Sequence, residues 1–188
     1  MKNFKSIALA LVVVLSTVSL TAQTKKVDAS KSTINWTGKK VTGEHVGTIN
    51  LKDGSLVFKG KKLVGGSLNV NMASLTNTDL TGEYKGKLEG HLKSEDFFGT
   101  EKFPTATLVF KKVVLKSANV YTVTGDLTIK GITNPITFDL ATTANSASSN
   151  LKVNRTKYNI KYNSGSFFEN LGDKVIYDDF ELAVVLKF

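Results

Sequence analysis

The clearest indication of the fold is the segment Tyr121-Thr122-Val123-Thr124-Gly125-Asp126-Leu127-Thr128-Ile129-Lys130. Apolar side chains occupy alternate positions in it, and threonine, aspartate and lysine lie mostly between them. Because successive side chains of a β-strand point to opposite faces, this alternation predicts a strand with one buried and one solvated face. Such half-buried strands are typical of antiparallel sheets.

The same period of two recurs along most of the chain. It returns after a predicted turn over residues 131–135, in the segment from Ile136 to Leu140, and again from Phe180 to Phe188. Further strands are predicted around Ile34/Trp36, Ile49/Leu51, Leu56/Phe58, Leu68/Val70/Met72, Leu108/Phe110 and Tyr158/Ile160/Tyr162. Turns are predicted at Asp53-Gly54, at Gly60-Lys61, over residues 116–119 and in the polar tract from Thr142 to Asn150.

One segment departs from this alternation, between Asp79 and Phe98. Its apolar side chains recur every four residues, at Leu80, Tyr84, Leu88 and Leu92, which is the spacing of one helical face. Three glycines in the segment weaken a helix by about 1 kcal/mol each relative to alanine. The pattern therefore predicts one short, imperfect helix crossing between strands.

Eight or nine strands with one helix fit either a sandwich or a closed barrel. Several predicted strands are long for a sandwich, and closure removes exposed strand edges. We therefore expect a mainly β protein, a single antiparallel β-barrel of about eight strands with one short helix. A barrel of eight strands is just wide enough to hold one small ligand.

The N-terminal segment has the features of a secretory signal peptide. Lys2 and Lys5 precede an uncharged apolar run over residues 7–15, and small residues lead to Ala22. We expect residues 1–22 to be removed and residues 23–188 to form the mature domain, which would then be periplasmic or secreted. The apolar run is shorter than the roughly 20 residues of a membrane-spanning helix.

The composition restricts the chemistry that the chain can perform. Its 188 residues include no cysteine, which excludes a disulfide scaffold, a thiolate metal site and a cysteine nucleophile. The net charge is +9, and of the 25 basic residues only Arg155 is an arginine. We expect no nucleic-acid partner, because export separates the chain from nucleic acids and aromatic residues do not alternate with the basic ones. The lysines either keep the surface solvated or favour transient contact with anionic membrane surfaces.

Several stretches resemble the YceI-like family of exported, lipocalin-like barrels associated with polyisoprenoid and lipid binding. The matching stretches are residues 28–36, 44–47, 91–98 with 103–104, 125–135, and 154–168 continuing to 173. The ending from Asn154 to Phe180 resembles the variant found in the Bacteroidetes branch. The resemblance implies a long antiparallel barrel whose tunnel takes an isoprenoid or fatty-acyl chain, and it does not imply a catalytic apparatus. We expect no cofactor.

On this basis we expect the tunnel to be lined by inward-facing apolar residues. They are Trp36, Phe58, Leu68, Val70, Phe97, Phe98, Phe103, Phe110, Leu127, Ile129, Phe138, Tyr158, Phe168, Phe180 and Leu182. The alternative is that the same residues fill a dry core, because alternation identifies the buried face and not the space behind it.

Two polar residues are candidates for contact with a lipid head group. Arg155, expected in a polar strand, carries a planar cation that suits a carboxylate or phosphate, although an internal salt bridge is the favoured alternative. His45, at a predicted strand start, is the second candidate, with a surface or structural role as its alternative. No histidine spacing typical of a metal site is present, so no metal is expected.

The sequence thus predicts an exported lipid-binding protein that sequesters or transports a polyisoprenoid or fatty-acyl chain without catalysing a reaction. One alternative is a periplasmic enzyme acting on such a lipid. The other is a filled barrel that serves as a stress or interaction module. The oligomeric state, monomer or homodimer, stays open.

Overall fold

Nine antiparallel strands make up most of the structure, a computed structural model that describes residues 21–188. They are β1 (Ala22–Lys26), β2 (Thr33–Lys40), β3 (Gly43–Lys59), β4 (Lys62–Asn77), β5 (Thr105–Ser117), β6 (Val120–Ile129), β7 (Ile132–Thr142), β8 (Ser146–Asn154) and β9 (Ile176–Lys187). One α-helix, α1 (Gly82–Lys93), follows β4, and two 3-10 helices cover Arg155–Tyr158 and Gly172–Lys174. The predicted signal peptide falls almost wholly outside the described residues and stays a prediction.

Eight of the strands close into a barrel. Their order around it is β3-β2-β9-β8-β7-β6-β5-β4, and pairing of β3 with β4 closes the ring. The short β1 pairs with the second half of β3, outside the ring. The prediction of an antiparallel barrel of about eight strands with one short helix is therefore confirmed. The stretch from Tyr121 to Ile129 alternates between buried and half-buried positions, as its sequence predicts.

The turn predicted at Asp53-Gly54 is wrong. Both residues lie within the 17-residue strand β3, next to an irregularity in its pairing with β4. A Cβ atom on Gly54 would lie 2.6 Å from Leu68 Cδ2 on the facing strand. The glycine therefore permits close packing of two strands here and does not reverse the chain.

Two other local predictions are wrong. Residues 146–150 of the predicted polar turn belong to β8, where Ala147 and Ser149 face inward and Ser149 Oγ donates to the carbonyl of Asp139 at 2.7 Å. The strand predicted around Tyr158 is instead the end of a 3-10 helix. Asn159 follows with a φ of 59°. This left-handed conformation ends the 3-10 helix and differs from that of a strand.

The strand register divides the barrel into two ends. The helix end comprises α1 and residues 38–45, 76–104, 129–134 and 155–179. The hairpin end comprises the β3–β4, β5–β6 and β7–β8 turns. Within the hairpin end, the Phe58 and Phe188 rings lie 5.8 Å apart and Lys25 Nζ lies over both of them. No helix within residues 21–188 is long and apolar enough to cross a membrane.

Candidate functional site

The barrel encloses an apolar cavity of about 230 Å³. Leu88 and Leu92 of α1 line it at the helix end, and Leu186 lies in its wall toward the hairpin end. An apolar cavity of roughly 150 Å³ already holds a benzene-sized molecule and stays free of water. The space behind the alternating strands is therefore large enough for part of a hydrocarbon chain.

Most of the predicted tunnel residues lie in the wall of this cavity. They are Trp36, Leu68, Val70, Phe97, Phe98, Phe110, Leu127, Ile129, Phe138, Phe180 and Leu182. Sequence reasoning missed other wall residues, among them Leu75, Leu88, Leu92, Ala106 and Leu151. For Leu88 and Leu92 a signal existed, because their four-residue spacing already placed them on one face of the predicted helix.

Trp36 is held in the wall by a close approach of two strands. Its register partner on β3 is Gly47, and a Cβ atom there would lie 2.5 Å from the indole ring and 2.0 Å from the Thr76 carbonyl. The indole Nε1 donates to the same Thr76 carbonyl at 3.2 Å. Glycine at position 47 is thus what allows the only tryptophan of the chain to lie flat against the wall.

A histidine–aspartate pair lies where the cavity reaches the helix end. His45 lines the cavity, and its Nδ1 lies 2.8 Å from Asp79 Oδ2. Asp79 also accepts hydrogen bonds from the Val46 N–H and the Asn77 amide. Desolvation raises the pKa of Asp79, but these hydrogen bonds, led by that of His45, outweigh it and hold the pKa at about 2.

The ionised Asp79 carboxylate fixes the proton arrangement of His45. A carboxylate only accepts hydrogen bonds, so His45 Nδ1 must be the donor. In the neutral ring Nε2 then has a free lone pair, and no partner for Nε2 is found within the described part of the chain. Gly38 is the register partner of His45 and also lines the cavity.

Arg155 is buried and also lines the cavity, but its hydrogen bonds go to backbone carbonyls. Its Nε, Nη1 and Nη2 donate to the carbonyls of Tyr177, Ile160 and Ile176 at 3.1, 2.9 and 2.9 Å. Asp178 Oδ1 lies 3.7 Å from Nη2, and burial lowers the pKa of the guanidinium. Arg155 therefore joins the end of β8 to the start of β9, in the first turn of a 3-10 helix and not in a strand as predicted.

Helix α1 covers the cavity without being embedded in the core. None of its residues is buried, although Leu88 and Leu92 face the cavity. Glu89 fastens it to β4 by accepting from Thr76 Oγ1 at 2.5 Å and from the Asn77 N–H at 2.8 Å. These hydrogen bonds lower the pKa of the Glu89 carboxyl. The helix is thus held by a few polar contacts and a narrow apolar stripe.

Residues 26–188 match the YceI-like domain family. The chain belongs to that family. This confirms the resemblance on which the site predictions depend, and the match extends from β1 to the last residue of the chain.

YceI-like relatives are found among both sequences and solved structures. The chain is 36% identical over 92 residues to a UPF0312 protein of Shewanella denitrificans and 33% identical over 93 residues to Protein YceI of Escherichia coli O157:H7. These matches cover 49% and 50% of this chain, and the chain spans about half the length of these curated relatives, 46% of each.

Two solved structures share the fold. BcnA of Burkholderia cenocepacia superposes with a TM-score of 0.69 at 20% identity, over 85% of this chain and 98% of BcnA. A polyisoprenoid binding domain from Saccharophagus degradans superposes with a TM-score of 0.58 at 16% identity, over 86% of this chain and 95% of that domain.

Two residues predicted to line the tunnel are buried elsewhere in the YceI-like barrel. Phe58 lies outside the cavity wall because it packs against Phe188 at the hairpin end. Tyr158 is buried at the end of its 3-10 helix and is also absent from the cavity wall. Burial raises the pKa of the Tyr158 hydroxyl.

The other two residues outside the cavity wall lie in connecting segments. Phe103 packs on the β6–β7 turn, where a Cβ atom on Gly131 would lie 3.0 Å from its ring. Phe168 is half exposed in the segment between the 3-10 helices, where its N–H donates to the Ser164 carbonyl. Both predictions are wrong because connecting segments have no regular alternation, so the sequence does not indicate which way their side chains point.

Proposed function

We propose that this protein is an exported carrier that binds an isoprenoid or fatty-acyl chain in the cavity of its barrel. The observation that carries the proposal is the cavity itself, because a filled barrel would have left no such space. Its wall is almost entirely apolar, and its polar groups lie mainly at the helix end. This arrangement suits a ligand with a hydrocarbon tail and a polar head. The related domain described as polyisoprenoid binding supports the same ligand class.

The energetics of burial favour a ligand of moderate length. Burial of one CH2 group contributes about 0.8 kcal/mol, so a five-carbon isoprene unit contributes roughly 3–4 kcal/mol. Association costs an estimated 4–15 kcal/mol. Three or four buried units therefore suffice for useful affinity, and a longer chain would leave part of its tail exposed.

We assign the head-group contact to His45. Asp79 holds the imidazole ring with Nε2 free, so this nitrogen can accept a hydrogen bond from a hydroxyl or a protonated acid group. Lys40 also lines the same end of the cavity and adds a positive charge. Arg155 was the other candidate, but three of its five N–H donors are already bound to backbone carbonyls.

The fluorescence of Trp36 offers a direct binding measurement, because this residue lines the cavity and is the only tryptophan. We expect titration with farnesol or dodecanoic acid to change its emission in a saturable way. In Ala106→Phe a larger side chain enters the cavity from β5. Val109→Phe on the same strand is the matched control, since Val109 is exposed on the outer face.

The two variants separate a hollow barrel from a filled one. Filling an existing cavity is tolerated or stabilising, whereas overpacking a filled core costs about 1–3 kcal/mol. We therefore expect Ala106→Phe to unfold at or above the urea concentration of the unchanged protein and to bind at least tenfold more weakly. A destabilised Ala106→Phe, or unchanged binding by it, would contradict the proposal.

A second candidate function, catalysis on the same lipid, is favoured by one observation. The Asp79–His45 pair holds a base at the cavity, as general acid–base catalysis requires. Incubation of the protein with a farnesyl ester, followed by mass spectrometry, distinguishes the two functions. A carrier returns the ester intact, whereas an enzyme converts it and loses that conversion in His45→Gln.

Export is part of the proposal because of the N-terminal sequence. Expression of the full chain in a bacterial host, followed by cell fractionation, tests it. We expect a periplasmic or secreted product whose N-terminus begins near Gln23. An uncleaved cytoplasmic product would contradict this part of the proposal and leave the binding function unaffected.

A further inference from the structure

The exposed aromatic side chains of the described chain are concentrated at one end of the barrel. All the large aromatic residues that are exposed lie at the helix end, and we call them the aromatic collar: Tyr84, Tyr162, Phe167, Phe168 and Tyr177. Elsewhere in residues 21–188 the exposed large apolar residues are aliphatic, for example Val114 and Leu115. Large exposed apolar surface in one place marks an interaction site.

One collar residue lines the cavity, and the others lie at the same end of the barrel. Tyr84 continues the stripe of Leu88 and Leu92 by one helical turn, beyond the cavity wall and into solvent. Tyr177 lines the cavity, and the Tyr162 ring packs edge-on against His91 of α1 at 4.5 Å. A partner that covers the collar would therefore lie at the end of the barrel where Tyr177, Leu88 and Leu92 line the cavity.

Phe167 and Phe168 join the same surface through the loop that carries them. Asn163 accepts from the Ile176 N–H at 2.9 Å, and Ser166 Oγ donates to Asp178 at 2.6 Å. These contacts hold the loop against the start of β9, next to Tyr177. The loop with Phe167 and Phe168 is thus fixed to the same end of the barrel as Tyr177.

The net positive charge of the described chain lies outside the helix end. The helix end carries 11 basic and 11 acidic residues, so it has no net charge. The rest of the described chain carries 12 basic and 5 acidic residues, a net charge of +7. A partner of the collar is therefore not selected by a net charge of one sign.

We propose that the aromatic collar docks in the head-group region of a lipid bilayer, with the cavity opening toward the lipid. Aromatic rings with polar edges favour the membrane–water interface. Lysines lie over the rings, with Lys161 Nζ 4.6 Å from the Phe167 centroid and Lys87 Nζ 6.0 Å from that of Tyr84. Such lysines can extend to the phosphates while the rings enter the bilayer. Because the helix end has no net charge, docking through it does not require an anionic lipid.

The proposal extends the carrier function, since docking would let a lipid pass directly into the cavity. It is tested by flotation of the mature protein with phosphatidylcholine vesicles, with and without phosphatidylglycerol. The test variant is Phe167→Ser/Phe168→Ser, whose side chains are 49% and 51% exposed. The matched control is Val114→Ser/Leu115→Ser, an adjacent pair that is 48% and 53% exposed outside the helix end.

We expect the unchanged protein and the control to bind phosphatidylcholine vesicles equally, and Phe167→Ser/Phe168→Ser to bind at least tenfold more weakly. Binding should change little up to about 0.5 M salt, where surface charges are screened. Binding that requires phosphatidylglycerol and disappears in salt would overturn the proposal. It would indicate that the vesicle contacts the positively charged surface outside the helix end. Equal binding by all three proteins would also overturn it.

Two further measurements separate this proposal from its alternatives. If the unchanged protein is a dimer that Phe167→Ser/Phe168→Ser converts to a monomer, and neither binds vesicles, the collar is a contact between copies of this chain. Farnesol titration followed by Trp36 fluorescence reports the cavity alone. Retained farnesol binding with lost vesicle binding supports docking through the collar, whereas absent farnesol binding contradicts the carrier function and not the collar.

Discussion

The hairpin end and the helix end of this YceI-like barrel are built on different principles. At the hairpin end, the turns are tight, aromatic rings such as Phe58 and Phe188 pack together, and the exposed large apolar residues, for example Val64 and Leu115, are aliphatic. At the helix end, α1 buries none of its residues, the aromatic collar is exposed, and polar groups border a cavity. The comparison teaches that packing for stability and space for a ligand are placed at opposite ends of one sheet.

We expect the largest effect when one phenylalanine at each end is replaced by alanine and the stability of the two variants is compared. Phe58→Ala should lower the free energy of unfolding by about 3–5 kcal/mol, because it opens a space in a packed core. Phe98→Ala, in the cavity wall and only partly buried, should cost less and weaken farnesol binding. Urea unfolding and Trp36 titration measure both quantities.

The contrast between the two ends would be contradicted if the folded Phe58→Ala protein bound farnesol as weakly as Phe98→Ala does. Should Phe58→Ala not fold, Phe58→Leu provides the same comparison with a smaller loss of volume.

The second prediction concerns the wall that the two ends share. Gly47→Ala should destabilise the protein by about 1–3 kcal/mol and shift the Trp36 emission, because the new methyl group would overlap the indole and the Thr76 carbonyl. Gly65→Ala is the control, since its Cβ would lie 3.8 Å from Val57, an ordinary contact. A Gly47→Ala protein with unchanged stability and emission would show that Trp36 is not held as described.

The third prediction concerns two glycines of α1, at the helix end, and their effect on the stability of the protein. Gly86→Ala should stabilise the protein by about 0.5–1 kcal/mol, because alanine favours the helix and the added Cβ meets open space. Gly82→Ala should destabilise it instead, since Gly82 has a φ of 58°. Thermal unfolding distinguishes the two variants, and equal shifts in one direction would be evidence against the described backbone of α1.

The smallest expected effect is the pH dependence of the Asp79–His45 pair. The pKa of Asp79 is lowered from 3.8 to about 2, so its contribution to stability is present above about pH 4 and is lost as the pH falls toward 2. Because the pair is partly exposed, Asp79→Asn should cost only about 0.5 kcal/mol at neutral pH.

This difference between the unchanged protein and Asp79→Asn should be smaller near pH 3 than at neutral pH, and it should disappear only below about pH 2. Urea unfolding of both proteins at neutral pH and near pH 3 measures it. A difference that grows with acidity would contradict the proposed ionisation of Asp79.

The strand pattern was predictable from the sequence, whereas the cavity was not. Alternation from Tyr121 to Ile129 identifies the inward face correctly, and the spacing of Leu88 and Leu92 identifies the cavity side of α1. Alternation along a strand, however, does not indicate how far its inward side chains lie from those on the opposite side of the barrel. Only the closed ring of strands shows that these side chains border a space.

The missed features share a physical cause, which is dependence on distant parts of the chain. Gly54 has the local signature of a turn, but close packing against Leu68 keeps it in a strand. Arg155 satisfies three carbonyls up to 22 positions away, and no local pattern identifies them. The exposure of Phe168 likewise depends on a loop held by contacts with β9.

The most direct test of the carrier function is mass spectrometry of lipid bound to the mature protein. The unchanged protein and Ala106→Phe are incubated with the total lipid extract of the producing bacterium, repurified and extracted. We expect about one intact isoprenoid or fatty-acyl lipid per chain in the unchanged protein and at least tenfold less in Ala106→Phe. Absence of bound lipid from the unchanged protein, or equal amounts in both proteins, would contradict it.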